Sequence, residues 1–228
     1  MTKLYVHPAS TTSRPIMMFC AEQSIDIDTV TIDLFQGEHK GEAYLAVNPN
    51  GMVPAIDDDG FVLSESSAIL KYLADKAGSP TYPKDAQARA RINEIMDWFN
   101  TQFYREIAYH VVYPQVFPNH ARATDELTQS IIDWGMGQLP SLLATLDHGW
   151  VTFPGGGPYL TGADITIADY LGADLLACGD LIGADWSGYP NVARWLDTMK
   201  SRPSWAGVHE VINGFAGSLA GKEFTTIG

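Results

Sequence analysis

The sequence predicts two units in series, an α/β unit followed by an all-α unit. Three observations carry this. Strand-like and helix-like segments alternate through residues 1–80. Strand signals stop at the proline-containing stretch Ser79-Pro80-Thr81-Tyr82-Pro83. Beyond it, apolar residues recur three and four apart, the period of a helix with one buried face.

Leu4-Tyr5-Val6 is a short apolar strand that stops before Pro8. Ser10-Thr11-Thr12-Ser13 is a hydroxyl-rich turn, and Pro15 follows in a first helical turn, where its missing N–H costs little. Ile16, Met17, Phe19 and Cys20 give that helix an apolar face. Residues 27–34 alternate, which places Val30, Ile32 and Leu34 on one face of a second strand. After a loop, residues 53–56 and 61–63 flank Asp57-Asp58-Asp59-Gly60, a hairpin signature. Residues 66–77 form a helix, with Ala68, Ile69, Tyr72 and Leu73 expected inward and Gly78 as its stop. The order is β-α-β, loop, β-β-α.

In the second unit, residues 86–113 predict one long amphipathic helix with Ile92, Ile95, Met96, Phe99, Phe103 and Ile107 on its apolar face, ended by Pro114. Residues 124–146 predict another, bent near Gly135, Gly137 and Pro140. Residues 154–158 are a glycine loop. Residues 166–176 are almost wholly apolar and belong in the core. Shorter helices are expected over 191–200 and 204–212, and the tail from Gly214 has no clear pattern. The expected division is 1–79, a linker over 80–86, and 87–228.

With 228 residues, 46% hydrophobic and 18% charged, the chain can bury a sizeable core. The formal net charge is −13, and acidic residues outnumber basic ones in both units. Such a surface repels phosphate backbones and anionic lipid, which excludes general nucleic-acid binding and electrostatic membrane docking. Two cysteines, Cys20 and Cys178, cannot build a disulfide framework and suit a reducing cytoplasm. No N-terminal stretch has the apolar core of a signal peptide, and no apolar run reaches the ~20 residues that span a bilayer. No two of the six histidines fall four apart with a carboxylate partner, Asp57-Asp58-Asp59 lacks calcium-loop spacing, and no metal is expected. Gly155-Gly156-Gly157 lacks the Gly-Lys-Ser/Thr of a phosphate loop.

Four stretches carry candidate chemistry. The hydroxyls of His7-Pro8-Ala9-Ser10-Thr11-Thr12-Ser13-Arg14 suit N-capping first, and second a hydroxyl facing a bound anion at a helix start. Val53-Pro54-Ala55 opens a strand with a residue lacking an N–H, which suits an edge, or a backbone presented to a ligand. Ser64-Glu65-Ser66-Ser67 reads as a cap, or as an acid and a helix N-terminus that together hold an α-amino and α-carboxylate pair. Thr166 with Asp169 three residues later is a capping box.

Taken together these stretches resemble the cytosolic glutathione transferase family over essentially the whole chain, nearest its serine-type theta and phi classes. The phi-like segments are His7-Pro8-Ala9-Ser10-Thr11, with Arg14 behind it, and Gly37-Glu38-His39-Lys40. Asn48-Pro49-Asn50-Gly51-Met52-Val53-Pro54-Ala55 and Glu65-Ser66-Ser67-Ala68-Ile69 match the family at large. Gln87-Ala88-Arg89-Ala90-Arg91 is theta-like.

The resemblance implies a thioredoxin-like domain, a helical domain, a homodimer, and glutathione as co-substrate without a metal. Ser10 matches the hydroxyl that activates the thiol, with Thr11, Thr12 and Ser13 beside it as alternative donors. His39 and Lys40 match residues that hold the glycine carboxylate. Val53 matches the backbone partner of the cysteinyl part, with Pro54 in cis, and Glu65 and Ser66 match the γ-glutamyl site. Met52 departs from the usual Gln or Lys.

The implied activity is transfer of glutathione to a hydrophobic electrophile, halide displacement or hydroperoxide reduction. Phe103, Tyr104, Tyr109 and Tyr113 are the candidate walls of the electrophile pocket. The rivals are a non-catalytic scaffold on the same fold and a glutathione-dependent disulfide reductase.

Overall fold

A computed structural model describes residues 2–151 and 156–228, so part of the expected glycine loop over 154–158 lies outside the described residues. The α/β unit is a four-stranded sheet in the order β2-β1-β3-β4. Its centre is β1 (Lys3–Val6), which runs parallel to β2 (Asp28–Thr31) and antiparallel to β3 (Ala55–Asp58). A hairpin joins β3 to β4 (Phe61–Ser64). Its turn residues Asp59 and Gly60 have φ of 51° and 93°, the doubly positive pair that matches strand twist. The second strand is shorter than its alternation suggests, because its partner β1 ends at Val6. Ile32 still donates its N–H to the Val6 carbonyl at 2.8 Å. Val30, Ile32 and Leu34 do share one face, packed with Tyr44 and Val53.

Helix α1 (Arg14–Glu22) starts with Pro15 in its first turn and buries Ile16, Met18, Phe19 and Cys20; Met17 lies at the margin. The expected loop holds a 3₁₀ turn (Glu38–Lys40) and the short helix α2 (Glu42–Leu45). Helix α3 (Ser66–Ala77) buries Ile69, Leu70, Leu73 and Ala74, with Ala68 and Tyr72 half-buried. Its inward face is thus turned about one residue from the expected one, and Tyr72 takes its hydroxyl to Asp58 on β3 instead. Gly78 closes α3 at φ 60°, as the stop requires.

In the helical unit, residues 86–116 are continuously helical. They comprise α4 (Ala86–Trp98), π-wound turns over Phe99–Phe103 and Arg105–Val112, and α5 (Tyr113–Val116). Pro114 does not end this helix. It sits where the winding changes from π to α, one residue into α5. The stop is Phe117, held extended before Pro118, since a residue preceding proline is pushed out of the helical region.

Helix α6 (Asp125–Thr145) is capped by Thr124 and contains Pro140. A Cβ at Gly135 would come within 2.7 Å of the Val111 side chain, so the glycine sets how closely α6 approaches the π-wound segment. Helix α7 (Ile167–Ala177) is buried on every side. Helix α8 (Pro190–Lys200) follows, and α9 (Trp205–Ser218) runs past the expected end at residue 212. Among the described residues, no helix is long and apolar enough to cross a membrane.

Buried polar contacts lock α1 against the helical unit. Asp174 on α7 accepts from Arg14 at 2.9 Å and bonds His209 at 2.8 Å. Glu22 accepts from Tyr170 at 2.7 Å and Ser204 at 2.6 Å, and pairs with Arg202.

Candidate active site

A cavity of about 770 Å³ opens between the two units. One wall is the turn after β1, the segment from Leu34 to Pro54, and the start of α3. The opposite wall is the face from Tyr104 to His120. Ser10, His39, Lys40, Val53, Pro54, Glu65, Ser66, Tyr104, Tyr109 and Tyr113 all line it, so residues far apart in sequence converge on one space.

The hydroxyl turn is held from several sides. Ser13 stands at the N-cap of α1, yet its side chain caps nothing. Ser10 Oγ accepts from the Ser13 N–H at 3.3 Å and lies 3.2 Å from Thr12 Oγ1. Thr12 donates to the Val53 carbonyl at 3.1 Å. Thr11 Oγ1 accepts from the Tyr113 hydroxyl at 2.8 Å, a bond that crosses the cavity base between the two units. Capping therefore accounts for one weak contact of this turn.

The next segment is braced by its own backbone. Lys40 Nζ donates to the Gly51 carbonyl at 2.8 Å, and the Met52 carbonyl accepts from Tyr44 and from Asn48, each at 2.7 Å. Gly51 has φ 57°, and a Cβ there would sit 2.8 Å from the His39 carbonyl. The Val53–Pro54 peptide is cis. Burial, aided by the Lys40 charge, holds the His39 pKa below its ordinary 6.5, so the imidazole is neutral at pH 7. Its Nδ1 is buried with no hydrogen-bond partner. The positive charge beside the cavity at neutral pH is thus Lys40 rather than a pair.

At the start of α3 the capping reading of Ser64 and Ser67 fails. The N-cap is Glu65, at φ 70° and with no side-chain cap bond. Ser67 Oγ instead accepts from Asn100 at 3.1 Å. A non-glycine residue in this region costs on the order of 1–3 kcal/mol and persists only where its surroundings impose it, often at binding sites. The first N–H groups of α3 have no side-chain cap, and Glu65 and Ser66 border the cavity.

The far wall is aromatic. Tyr104, Tyr109 and Tyr113 meet edge to face, with centroids 5.3 Å apart for Tyr104–Tyr109 and for Tyr109–Tyr113. His120 lies 5.1 Å from the Tyr113 ring, and Phe117 extends the wall. Burial raises the Tyr104 and Tyr113 phenols well above their ordinary range, which keeps both protonated.

Phe103 is not in this wall. It is wholly buried, stacked on Trp98 at 5.5 Å and edge-on to Phe99 at 5.6 Å. Phe103 turns to the core side of the helix while Tyr104, the next residue, borders the cavity. Sequence reasoning missed Phe117, His120 and Leu181 in the lining; the first two follow Pro114, where the helix was expected to stop. On the other side, Phe35 packs edge-on against His7 at 5.3 Å and is also unforeseen.

Cys20 and Cys178 are buried free thiols. Burial pushes Cys20 up to about 12 and raises Cys178 as well, so neither supplies a thiolate. Among the described residues, no cluster of three His, Cys, Asp or Glu side chains is placed to hold a metal.

The sheet topology, the cis-proline edge and the helical second unit define a class of fold, and comparison with known proteins gives the family. The family profile "Glutathione S-transferase, N-terminal domain" matches residues 9–76, and "Glutathione S-transferase, C-terminal domain" matches residues 129–203. Human glutathione S-transferase theta-2 is 30% identical over 200 residues, 85% of this chain and 78% of its own. Mouse glutathione S-transferase theta-1 is 31% identical over 221 residues, 92% and 88% of the two chains. The crystal structure of human glutathione transferase theta-2, in complex with glutathione and an unknown ligand, superposes with a TM-score of 0.81 at 26% identity, covering 100% of this chain and 94% of that one. The chain belongs to the glutathione S-transferase family, with a thioredoxin-like N-terminal domain and a helical C-terminal domain.

Proposed function

We propose that this chain is a glutathione transferase that holds glutathione along its α/β wall and joins its sulfur to an apolar electrophile held by the aromatic wall. One observation carries the reading: the residues matched to three parts of glutathione line a single cavity whose other side is apolar. Lys40 and His39 take the glycine carboxylate. The backbone of Val53 takes the cysteinyl unit; its carbonyl, with two lone pairs, accepts from a ligand as well as from Thr12. Glu65 takes the γ-glutamyl ammonium, while Ser66 and the uncapped α3 N-terminus take the carboxylate beside it.

The sulfur then lies at the hydroxyl turn. A thiol of pKa ~8.5 is mostly protonated at pH 7, and lowering it by two units requires about 2.7 kcal/mol. A charge-assisted hydrogen bond from a hydroxyl contributes about 1.5–3 kcal/mol, with a smaller term from the α1 N-terminus. The family pattern assigns this task to Ser10, with Thr11, Thr12 and Ser13 beside it as alternative donors; whichever hydroxyl serves acts as donor and not as nucleophile. Two features disfavour a reductase working through its own sulfur: the turn has no cysteine, and both chain thiols are buried. The strained Glu65, whose side chain makes no cap bond, disfavours a scaffold.

Two copies are proposed to pair through exposed apolar residues, Phe61 and Val62 on one unit and Leu127 and Trp134 on the other. Two free buried thiols suit the cytoplasm.

The test is an assay of glutathione with aryl halides, alkyl halides, hydroperoxides and disulfides. Turnover with at least one electrophile, lost on omitting glutathione, is expected. Glutathione binding without turnover on any of them would favour the scaffold.

A further inference from the structure

The hydroxyl turn can be resolved by counting protons, because each hydroxyl has only one to give. Thr12 gives its proton to the Val53 carbonyl, which can only accept. The proton between Ser10 and Thr12 must therefore come from Ser10. Ser10 Oγ also accepts from the Ser13 N–H. Its hydroxyl is thus engaged both as donor and as acceptor within the turn.

The second chain runs the other way. Tyr113 gives its proton to Thr11 Oγ1 at 2.8 Å. The proton in the 2.9 Å contact between Tyr104 and Tyr113 therefore belongs to Tyr104. The order is Tyr104 to Tyr113 to Thr11, and among the described residues the Thr11 proton meets no acceptor. Thr11 is 5% exposed, and what it exposes lines the cavity. A hydroxyl that accepts a hydrogen bond is polarised into a better donor, and a buried chain strengthens this.

We propose that Thr11 donates a hydrogen bond to the glutathione sulfur and that Tyr113, backed by Tyr104, is the positioning residue that aims and polarises it. The thiolate is stabilised by a proton already pointing out of a two-tyrosine chain, while the Ser10 hydroxyl bonds Thr12, which holds the turn to Val53. The chain also ties the electrophile wall to the sulfur, since Tyr104 and Tyr113 belong to both. The ionisable groups around Tyr113 are Tyr104, Tyr109, His120, Cys178 and, through Thr11, the bound thiol. Burial keeps Tyr104, Tyr113 and Cys178 protonated, and it lowers His120, with Arg122 adding to the effect. None of these four changes charge between pH 7 and 9, where the thiol is read.

This inference rests on the transferase reading. The experiment separates the two, because binding is measured before titration. Calorimetry with glutathione on the wild-type chain comes first, and absence of binding there would remove both. With binding in hand, the thiolate absorbance of bound glutathione is titrated in wild type, Thr11→Ala, Thr11→Ser, Tyr113→Phe, Ser10→Ala and the double variant Thr11→Ala/Tyr113→Phe.

Thr11→Ala is expected to raise the thiol pKa by about 1–2 units and cut turnover at pH 7 by roughly 10–100-fold. Thr11→Ser restores most of it. Tyr113→Phe moves the pKa by about half as much, and the double variant by no more than Thr11→Ala alone, since both act on one bond. Should Thr11→Ala fail to fold, Thr11→Val, of nearly equal volume, takes its place. An unshifted titration in Thr11→Ala beside a shifted one in Ser10→Ala returns the role to Ser10 and overturns the proposal. An unshifted Tyr113→Phe overturns the relay.

Discussion

Two helix starts in this chain each combine hydroxyls with an acid and use them in opposite ways. At α7, Asp169 is fully buried and its carboxylate accepts from Leu160 N–H at 2.8 Å, Thr166 N–H at 2.8 Å, Thr166 Oγ1 at 2.9 Å and Trp195 Nε1 at 3.0 Å. At α3, the hydroxyl-and-acid run Ser64-Glu65-Ser66-Ser67 forms no side-chain cap, and Glu65 is strained and exposed. One start is closed by its own side chains and facing core; the other is left open and facing a cavity. A local polar motif marks a binding site where its hydrogen-bonding capacity is left unused, and marks structure where it is used up.

The largest expected effect breaks the closed start. Asp169→Ala leaves four donors without their acceptor in the interior and is expected to cost about 3–5 kcal/mol, since each buried donor left alone costs about 1–3 and neighbouring losses overlap. For a domain this size the melting temperature falls by roughly 10 °C. Glutathione affinity of the protein that remains folded should be unchanged. Calorimetric melting followed by titration measures both.

The next effect opens the comparison from the other side. Glu65→Gly removes a carboxylate and relieves a residue at φ 70°. Stability is expected to rise by up to about 1 kcal/mol as strain is lost, while glutathione affinity falls roughly 10–100-fold, or about 1.4–2.7 kcal/mol. A variant at Glu65 that lost stability and kept affinity would make this start structural after all.

The smallest effect concerns charge. His39 has its pKa held below 6.5 by burial and by Lys40. A carboxylate bound beside it favours the imidazolium, so binding takes up a proton and affinity rises as pH falls. Between pH 7 and 5.5, glutathione should bind a few-fold more tightly to wild type, and His39→Gln should remove that slope. A rise of equal size in His39→Gln would place the titrating group elsewhere.

How much of this was legible depended on whether the physics is local. The hairpin, the Gly78 stop and the Thr166–Asp169 box are determined within a few residues, and all three stand as read. Pro114 was misread as a stop, because a proline's effect depends on the winding before it, and π turns leave no simple sequence period. Phe103 packs on Trp98 and Phe99 while Tyr104 borders the cavity, a division set by what lies against each side of the helix and not by aromatic composition. That His39 has its pKa lowered by burial was not legible, because burial is set by the fold. The bond from Tyr113 to Thr11 spans 102 positions. Periodicity says which face of a helix turns inward, never which hydroxyl it will meet there.

The central claim is that the open start of α3 reads the γ-glutamyl end of glutathione. Calorimetric titration of the wild-type chain with glutathione and, separately, with cysteinylglycine, which lacks that end, tests it directly. One glutathione per chain is expected, with cysteinylglycine bound at least ten-fold more weakly, a difference of about 1.4 kcal/mol or more. Equal affinity for the two would show that Glu65, Ser66 and the uncapped helix contribute nothing to binding, and would contradict the account.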